Sequence, residues 1–351
     1  MPAVRRTAIG FAAAFLGLLT ACNTEQAMES PVEANAESVG TILRLDSALN
    51  VLVPIGATIE KVAGGFEFIE GPVWMPGPQG RLLFSDIPAN TVYSWSEDSG
   101  LQVLLNPVKH DDSDIGGVGG SNGLALDAEG RLILCEHGNR RVARMEADGS
   151  RTTLADRYDG KRLNSPNDIV FHSSGAAFFT DPPYGLEEQD ADPAKEQSHN
   201  GIYRLDVDGK VTLLATGQSR PNGIGLSPDE HTVYVANSDW PASPLWMSYP
   251  VLGDLTLGDA TVLFDASGMT SDTYNGTPDG LTLDRTGNIY ATGPGGVLIF
   301  NAQGKHLGTI ELNEVAANVG WGDDGKTLYI TASTSLYRIK LTADGLVFRK
   351  D

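Results

Sequence analysis

Six times along this chain a polar residue stands just before a glycine, or a residue in a glycine's place, at the start of a short β-type run. The pairs are Glu70-Gly71, Asn122-Gly123, Asn167-Asp168, Asn222-Gly223, Asp279-Gly280 and Asn318-Val319. Each opens a hydrophobic strand, then a Gly-containing turn, then a second hydrophobic strand. The starts lie about 39–57 residues apart, a period suited to four-stranded blades. One such unit cannot bury both of its faces, so neighbours must stack around an axis. Six units predict an all-β fold, a six-bladed β-propeller. The turns Asp127-Ala128-Glu129-Gly130 and Asp284-Arg285-Thr286-Gly287 suit hairpins, Asp closing an Asx-turn and Gly supplying positive φ. With 41 Gly and 19 Pro in 351 residues, the chain favours tight turns over long helices. Ring closure is expected from Val53–Ile59 or from the C-terminal Leu346-Val347-Phe348.

The first 22 residues read as a processing segment. Arg5 and Arg6 make a positive start, and Ile9 to Leu19 is apolar but too short for a comfortable membrane span. Leu19-Thr20-Ala21-Cys22 resembles a bacterial lipobox, which implies a lipidated Cys22 and a periplasm-facing lipoprotein, with no other membrane contact. Residues 23–49 then form a tether, rich in Glu, Ala, Ser and Asn as far as Gly40, with Thr41–Ala48 assignable to either side; the propeller domain takes 50–351. Cys135, in Leu132-Ile133-Leu134-Cys135, is expected as a small core residue. A net charge of −20 argues against nucleic-acid binding, which needs clustered Lys and Arg.

In a propeller, equivalent positions meet at the axis. Glu70, Asn122, Asn167, Asn222, Asp279 and Asn318 would then ring one end of the channel. Carboxylates and amide carbonyls are hard oxygen donors, suited to Ca²⁺, Mg²⁺ or Mn²⁺. Asn-Gly and Asp-Gly are also favoured turn dipeptides, so a turn alone would account for any single pair. It accounts less well for six in phase, and not for Glu70.

The stretches Glu70-Gly71-Pro72-Val73-Trp74, Ser165-Pro166-Asn167-Asp168, Thr180-Asp181-Pro182-Pro183-Tyr184-Gly185, Arg220-Pro221-Asn222-Gly223 and Pro278-Asp279-Gly280 resemble the gluconolactonase / senescence marker protein 30 family, the regucalcin-like lactonases. The resemblance spans about residues 60 to 340, in family order. It implies a six-bladed propeller, a divalent cation in the channel and hydrolysis of lactone rings. The cation implied is Ca²⁺ first, with Mg²⁺, Mn²⁺ or Zn²⁺ as alternatives. By this resemblance Glu70, Asn167, Asn222 and Asp279 match metal ligands, Asn122 matches a substrate contact, and Arg162 looks typical of bacterial members.

A cation on the lactone carbonyl oxygen would stabilise the oxyanion formed as water attacks. Asp279 and His137 are alternative bases for that water. Asp181 is a candidate for orienting a ligand or holding a second ion, and Asn318 for meeting substrate. Gly116–Gly120 is expected as a flexible rim loop, Asp111–Asp114 as a solvated loop and Glu187–Asn200 as a substrate lid or rim. The leading function is a metal-dependent sugar lactonase acting on a lactone such as glucono-1,5-lactone. A related esterase or phosphotriesterase is the second reading, and a binding propeller with a structural ion the third. Oligomeric state is left open.

Overall fold

The computed structural model describes residues 39–348 apart from 79, 110–114, 270–274 and 323–324. The processing segment with Cys22, the tether up to residue 38 and the acidic loop Asp111–Asp114 lie outside these. Among the described residues no helix is long and apolar enough to cross a membrane.

Six antiparallel sheets follow one another as blades. Blade one is Ile69–Met75, Arg81–Asp86, Thr91–Ser96 and Gly100–Leu105. Blade two is Ser121–Leu126, Leu132–Glu136, Arg141–Met145 and Arg151–Ala155. Blade three is Ile169–Phe171, Ala177–Asp181, Gly201–Leu205 and Val211–Ala215. Blade four is Pro221–Leu226, Thr232–Asp239, Ser243–Pro250 and Thr261–Asp265. Blade five is Leu281–Leu283, Ile289–Gly293, Gly296–Phe300 and His306–Leu312, and blade six begins with Ala316–Gly322, Thr327–Ala332 and Ser335–Lys340. The first strand of each blade packs on the first strand of the next, and blade six returns to blade one. The expected propeller is what the chain forms.

The middle strands show why. Their residues alternate between two faces, and a neighbouring blade covers each face, so the whole run must be apolar. Leu83 packs with Leu124, Leu132 and Leu134 of blade two, while Phe84 points the other way to Tyr329 and Leu336 of blade six. Ile133 and Cys135 turn from blade one toward Ile169, Ala177 and Phe179 of blade three. Cys135 is thus the core residue expected, fully buried, with its thiol pushed well up by loss of water. The Asx turns form as read: Asp127 Oδ1 accepts from the N–H groups of Glu129 and Arg131, and Gly130 has φ 79°.

Closure comes from the N-terminal side, but one step later than expected. Val53–Ile59 is not the closing strand; Leu49–Leu52 is a short helix and the strand is Ile59–Gly64. It pairs antiparallel with Ser335–Lys340 and supplies the fourth strand of blade six, with Glu60 opposite Arg338. The stretch between tether and domain falls on the domain side. Gly40–Arg44 adds a fifth strand to blade five, pairing with His306–Leu312. Leu346–Phe348 does not join a sheet. It lies across the far end of the channel, where Leu346 N–H donates to Leu283 O, and floors a cavity of about 200 Å³ lined by Val73, Leu124, Leu226, Leu283 and Val319.

Candidate active site

The glycine of each opening pair is needed for close approach. A Cβ on Gly71 would sit 2.2 Å from Asn122 O, one on Gly123 2.6 Å from Asn167 O, one on Gly223 2.2 Å from Asp279 O, and one on Gly280 2.0 Å from Asn318 Oδ1. Strands converge on the axis so tightly that a side chain at this position would strike the next blade. These pairs are therefore not hairpin turns, and the alternative explanation of them falls away. In blade three Asp168 takes the glycine's place, and the missing side chain of Gly123 makes room for its carboxylate.

The six polar residues come together at this convergence. Gly123 N–H donates to Asn167 O at 2.7 Å and Gly280 N–H to Ala317 O at 2.8 Å, linking neighbouring blades at the ring. A hydroxyl from the middle strand fastens the ring backbone of the following blade. Ser85 Oγ donates to Asn122 O (2.8 Å), Thr180 Oγ1 to Asn222 O (2.7 Å), Thr292 Oγ1 to Ala317 O (2.7 Å), and Ser238 Oγ to Pro278 O.

Glu70, Asn122, Asn167, Asn222 and Asn318 are buried, and Asp279 is half-buried with its Oδ1 enclosed. Glu70 Oε2 accepts from Gly71 N–H at 2.9 Å, and the Asn318 amide donates to the same carboxylate. Asn318 Oδ1 in turn accepts from Val319 N–H at 2.7 Å. Asn318 thus braces Glu70. Asn222 bonds to Asp279 and donates through Nδ2 to Ser238 Oγ at 2.9 Å. Loss of water pushes the Glu70 carboxyl up to about 7, with Asp168 adding to the rise. Loss of water and the charges of Glu70 and Asp168 hold Asp279 well above the usual carboxylate range. Burial also lifts Asp168 to about 6, although the N–H groups of Ile224 and Ile169 oppose it.

Three enclosed atoms of the ring have no hydrogen-bond partner among the described residues: Asn122 Oδ1, Asn167 Nδ2 and Asp279 Oδ1. Interiors rarely tolerate such atoms without a role. The groups acting on Glu70 and Asp279 are carboxylates and amides, and no cationic side chain is among them. Among the described residues no three His, Cys, Asp or Glu side chains gather as a metal site. Carboxylates with amide oxygens fit a hard divalent cation.

The other sequence candidates lie outside the ring. Asp181 is fully buried and accepts from the N–H groups of Asn164 and Ser165, both at 2.8 Å, so it fixes the loop that carries Asn167. Burial lifts its carboxyl to about 7. His137 is buried against Gly185, its Nε2 without a partner among the described residues, and loss of water pushes its imidazole down to about 4. Arg162 N–H donates to Glu196, and its guanidinium faces Asp156 at 3.9 Å.

The rim is more firmly held than its glycines imply. Lys109 Nζ donates to Gly117 O, Val118 N–H to Gly185 O and Gly120 N–H to Ile87 O. Buried Arg140 donates to the carbonyls of Ile115, Leu163, Asn164 and Ala194. In the insertion Glu187–Asn200, Asp190 pairs with Arg220 and Asn200 donates to Ser219 O, so this segment is a fixed wall. Tyr184 went unassigned in the sequence. Its phenol hydrogen-bonds to Ser238 and lies within electrostatic reach of Asp279, and loss of water drives it well above the ordinary tyrosine range.

The family model described as SMP-30/Gluconolactonase/LRE-like region matches residues 68–334. The chain belongs to this family. It is 36% identical over 338 residues to a gluconolactonase of Zymomonas mobilis, covering 93% of each chain. Among solved structures, a gluconolactonase of Xanthomonas campestris superposes with TM-score 0.74 at 32% identity, covering 86% of this chain and 94% of that one. A calcium-binding protein, regucalcin, of Agrobacterium tumefaciens shares the fold with TM-score 0.63 at 20% identity, over 82% of this chain and 96% of that one. The chain is accordingly an enzyme, a gluconolactonase-like lactone hydrolase.

Proposed function

We propose that the ring of buried polar side chains opens a sugar lactone, with glucono-1,5-lactone the first candidate. The observation that carries this is the pair of carboxyls Glu70 and Asp279, gathered at the axis without a cationic side chain between them. Glu70, Asn167, Asn222 and Asp279 would hold one divalent cation, Ca²⁺ first; the calcium-binding relative of the same fold supports that choice. When bound, such an ion supplies Lewis-acid polarisation of the lactone carbonyl.

Asp279 accepts a proton from water as the water oxygen bonds to the carbonyl carbon. The ring C–O bond then breaks, the ring oxygen gains a proton, and a hydroxy acid leaves. Asp279 stands at the ring, whereas His137 is buried outside it against Gly185, so Asp279 suits this role better. Asn122 Oδ1, enclosed and unpartnered, is the acceptor offered to a substrate hydroxyl. Arg162 stays with the rim.

The test is proton release from glucono-1,5-lactone, corrected for spontaneous opening, before and after EDTA and again with added Ca²⁺. Loss and recovery are expected; full turnover in EDTA would remove the cation from the scheme. We also propose that Cys22 is lipidated and the domain faces the periplasm, on the support of the lipobox and apolar leader. Intact mass of the mature protein checks this, and a mass lacking acyl chains would refute it.

A further inference from the structure

Two buried charges, Arg140 and Asp181, take no part in the ring, and the chain from Leu163 to Ser165 runs between them. Both are almost completely enclosed, as are Asn164 and Ser165. Two successive peptide groups are held at both ends. Leu163 O accepts from Arg140 Nε at 2.9 Å, and the N–H of the same peptide group, on Asn164, donates to Asp181 Oδ2 at 2.8 Å. Asn164 O accepts from Arg140 Nε at 3.0 Å, and the N–H that shares its peptide group, on Ser165, donates to Asp181 Oδ1 at 2.8 Å. In a trans peptide the C=O and N–H point in opposite directions, so the cation and the carboxylate stand on opposite sides of the chain. Each peptide turns its oxygen to the positive charge and its hydrogen to the negative one, and all four bonds are charge-assisted. A buried charge needs a partner. Here each charge is answered by the other through the backbone.

The held segment leads straight to the ring. Pro166 follows Ser165, with a fixed φ and no N–H to give. Asn167 comes next, its N–H donating to Thr180 O at 2.8 Å and its backbone oxygen accepting from Gly123 N–H at 2.7 Å. A shift at Ser165 therefore passes to Asn167 across one stiff residue. The same guanidinium also reaches the mouth, where Nη1 donates to Ile115 O at 3.0 Å and to Ala194 O at 2.9 Å. Arg140 itself sits at φ 52°, a left-handed conformation that persists where the surroundings over-determine it.

We propose that Arg140 and Asp181 act as one positioning unit, a buried ion pair joined through the peptides of residues 163–165, which sets the place of Asn167 in the ring. The effect on calcium rests on the cation reading above; the pairing itself does not. Lysine cannot replace the arginine, because a single ammonium lacks the planar fork that reaches both carbonyls and the two segments of the mouth.

The test is amide hydrogen exchange of residues 160–170 in EDTA, with calcium binding followed by titration calorimetry. Arg140→Lys touches neither the Asn164 nor the Ser165 amide, yet it should speed exchange at both by about tenfold, as Asp181→Asn does directly. Each variant should weaken calcium binding by about tenfold, and the double variant should stay near that figure rather than reach the product, since paired groups are not additive. Glu136→Gln, which removes a buried acid far from this loop, is the control and should leave both readouts within about twofold. Unchanged exchange at Asn164 and Ser165 in Arg140→Lys would overturn the pairing, and so would calcium losses that multiply in the double variant. Equal losses in Glu136→Gln would reduce the effect to general destabilisation and overturn it too. Asp181→Asn, which keeps the side chain's volume, decides alone if the lysine variant does not fold: calcium binding equal to the parent's would overturn the proposal. A parent that binds no calcium would instead defeat the cation reading, while the exchange data by themselves still uphold or overturn the pairing.

Discussion

Two glutamates are buried among the described residues of this propeller, and they are treated in opposite ways. Glu136, at the end of the second strand of blade two, is fully enclosed. Arg141 at 2.6 Å, Arg151 at 2.9 Å and the Asn139 amide at 2.6 Å satisfy it. Glu70, at the ring, has one backbone N–H and one amide, and its nearest charges are other carboxylates. The first arrangement is complete without a visitor. The second has no counter-charge of its own from these neighbours. Burial alone therefore does not mark a functional acid; the absence of a built-in counter-charge does.

Three substitutions press on that contrast. The largest effect is expected from Asp279→Ala, which removes both a carboxylate of the ring and the proposed base. Lactone hydrolysis should fall by about a thousandfold, while circular dichroism still reports a β fold. Ordinary turnover by this variant would end the assigned role.

Next comes Glu136→Gln. It leaves two guanidinium groups without their acid and should cost about 3 kcal/mol of stability in urea melts, with activity per folded molecule near normal. A variant as stable as the parent would erase the distinction.

The smallest effect is that of Glu70→Gln. Its carboxyl titrates higher in the fold than in the unfolded chain, near 7 against an ordinary 4.5. The folded state thus holds the proton more tightly, and ionisation costs stability as pH rises from about 5 through 7. In EDTA the glutamine variant should melt higher than the parent at pH 8, with the gain vanishing below pH 5. In Ca²⁺ the order should reverse. Equal melting temperatures at both pH values would mean that Glu70 is already neutralised.

Much of this architecture was legible before the fold was seen, because its strongest signals repeat. Apolar runs such as Leu132–Cys135 and Ala177–Phe179 gave the middle strands, and Asp-x-x-Gly gave the turns between. The outermost strands were harder. Arg151–Ala155 and Thr261–Asp265 cover one face only and carry polar residues on the other, so their pattern is faint. The closing strand Ile59–Gly64 is of this kind, which is why it was placed a few residues early. At the site, the six ring positions were found by phase, but the reason for their glycines was not. Close packing between strands from different blades leaves no mark that differs from a turn. The hydroxyl clamps did leave one: a small Ser or Thr stands near the end of the middle strand at Ser85, Thr180, Ser238 and Thr292. Tyr184 and the bracing role of Asn318 depend on which side chain reaches which across a blade boundary, and sequence order does not show that.

The seam of the ring has a consequence for how the site comes into being. Ile59–Gly64 zips to Ser335–Lys340, and Glu70 takes the amide of Asn318 across the same boundary. Those partners lie far apart in the chain, so Ile59–Gly64 is made long before Ser335–Lys340. A chain still emerging from the ribosome can stack its early blades, yet it holds an unfinished circle whose first acid lacks its last neighbour. Competence to act therefore waits on one late event, when Ser335–Lys340 meets a strand made long before it.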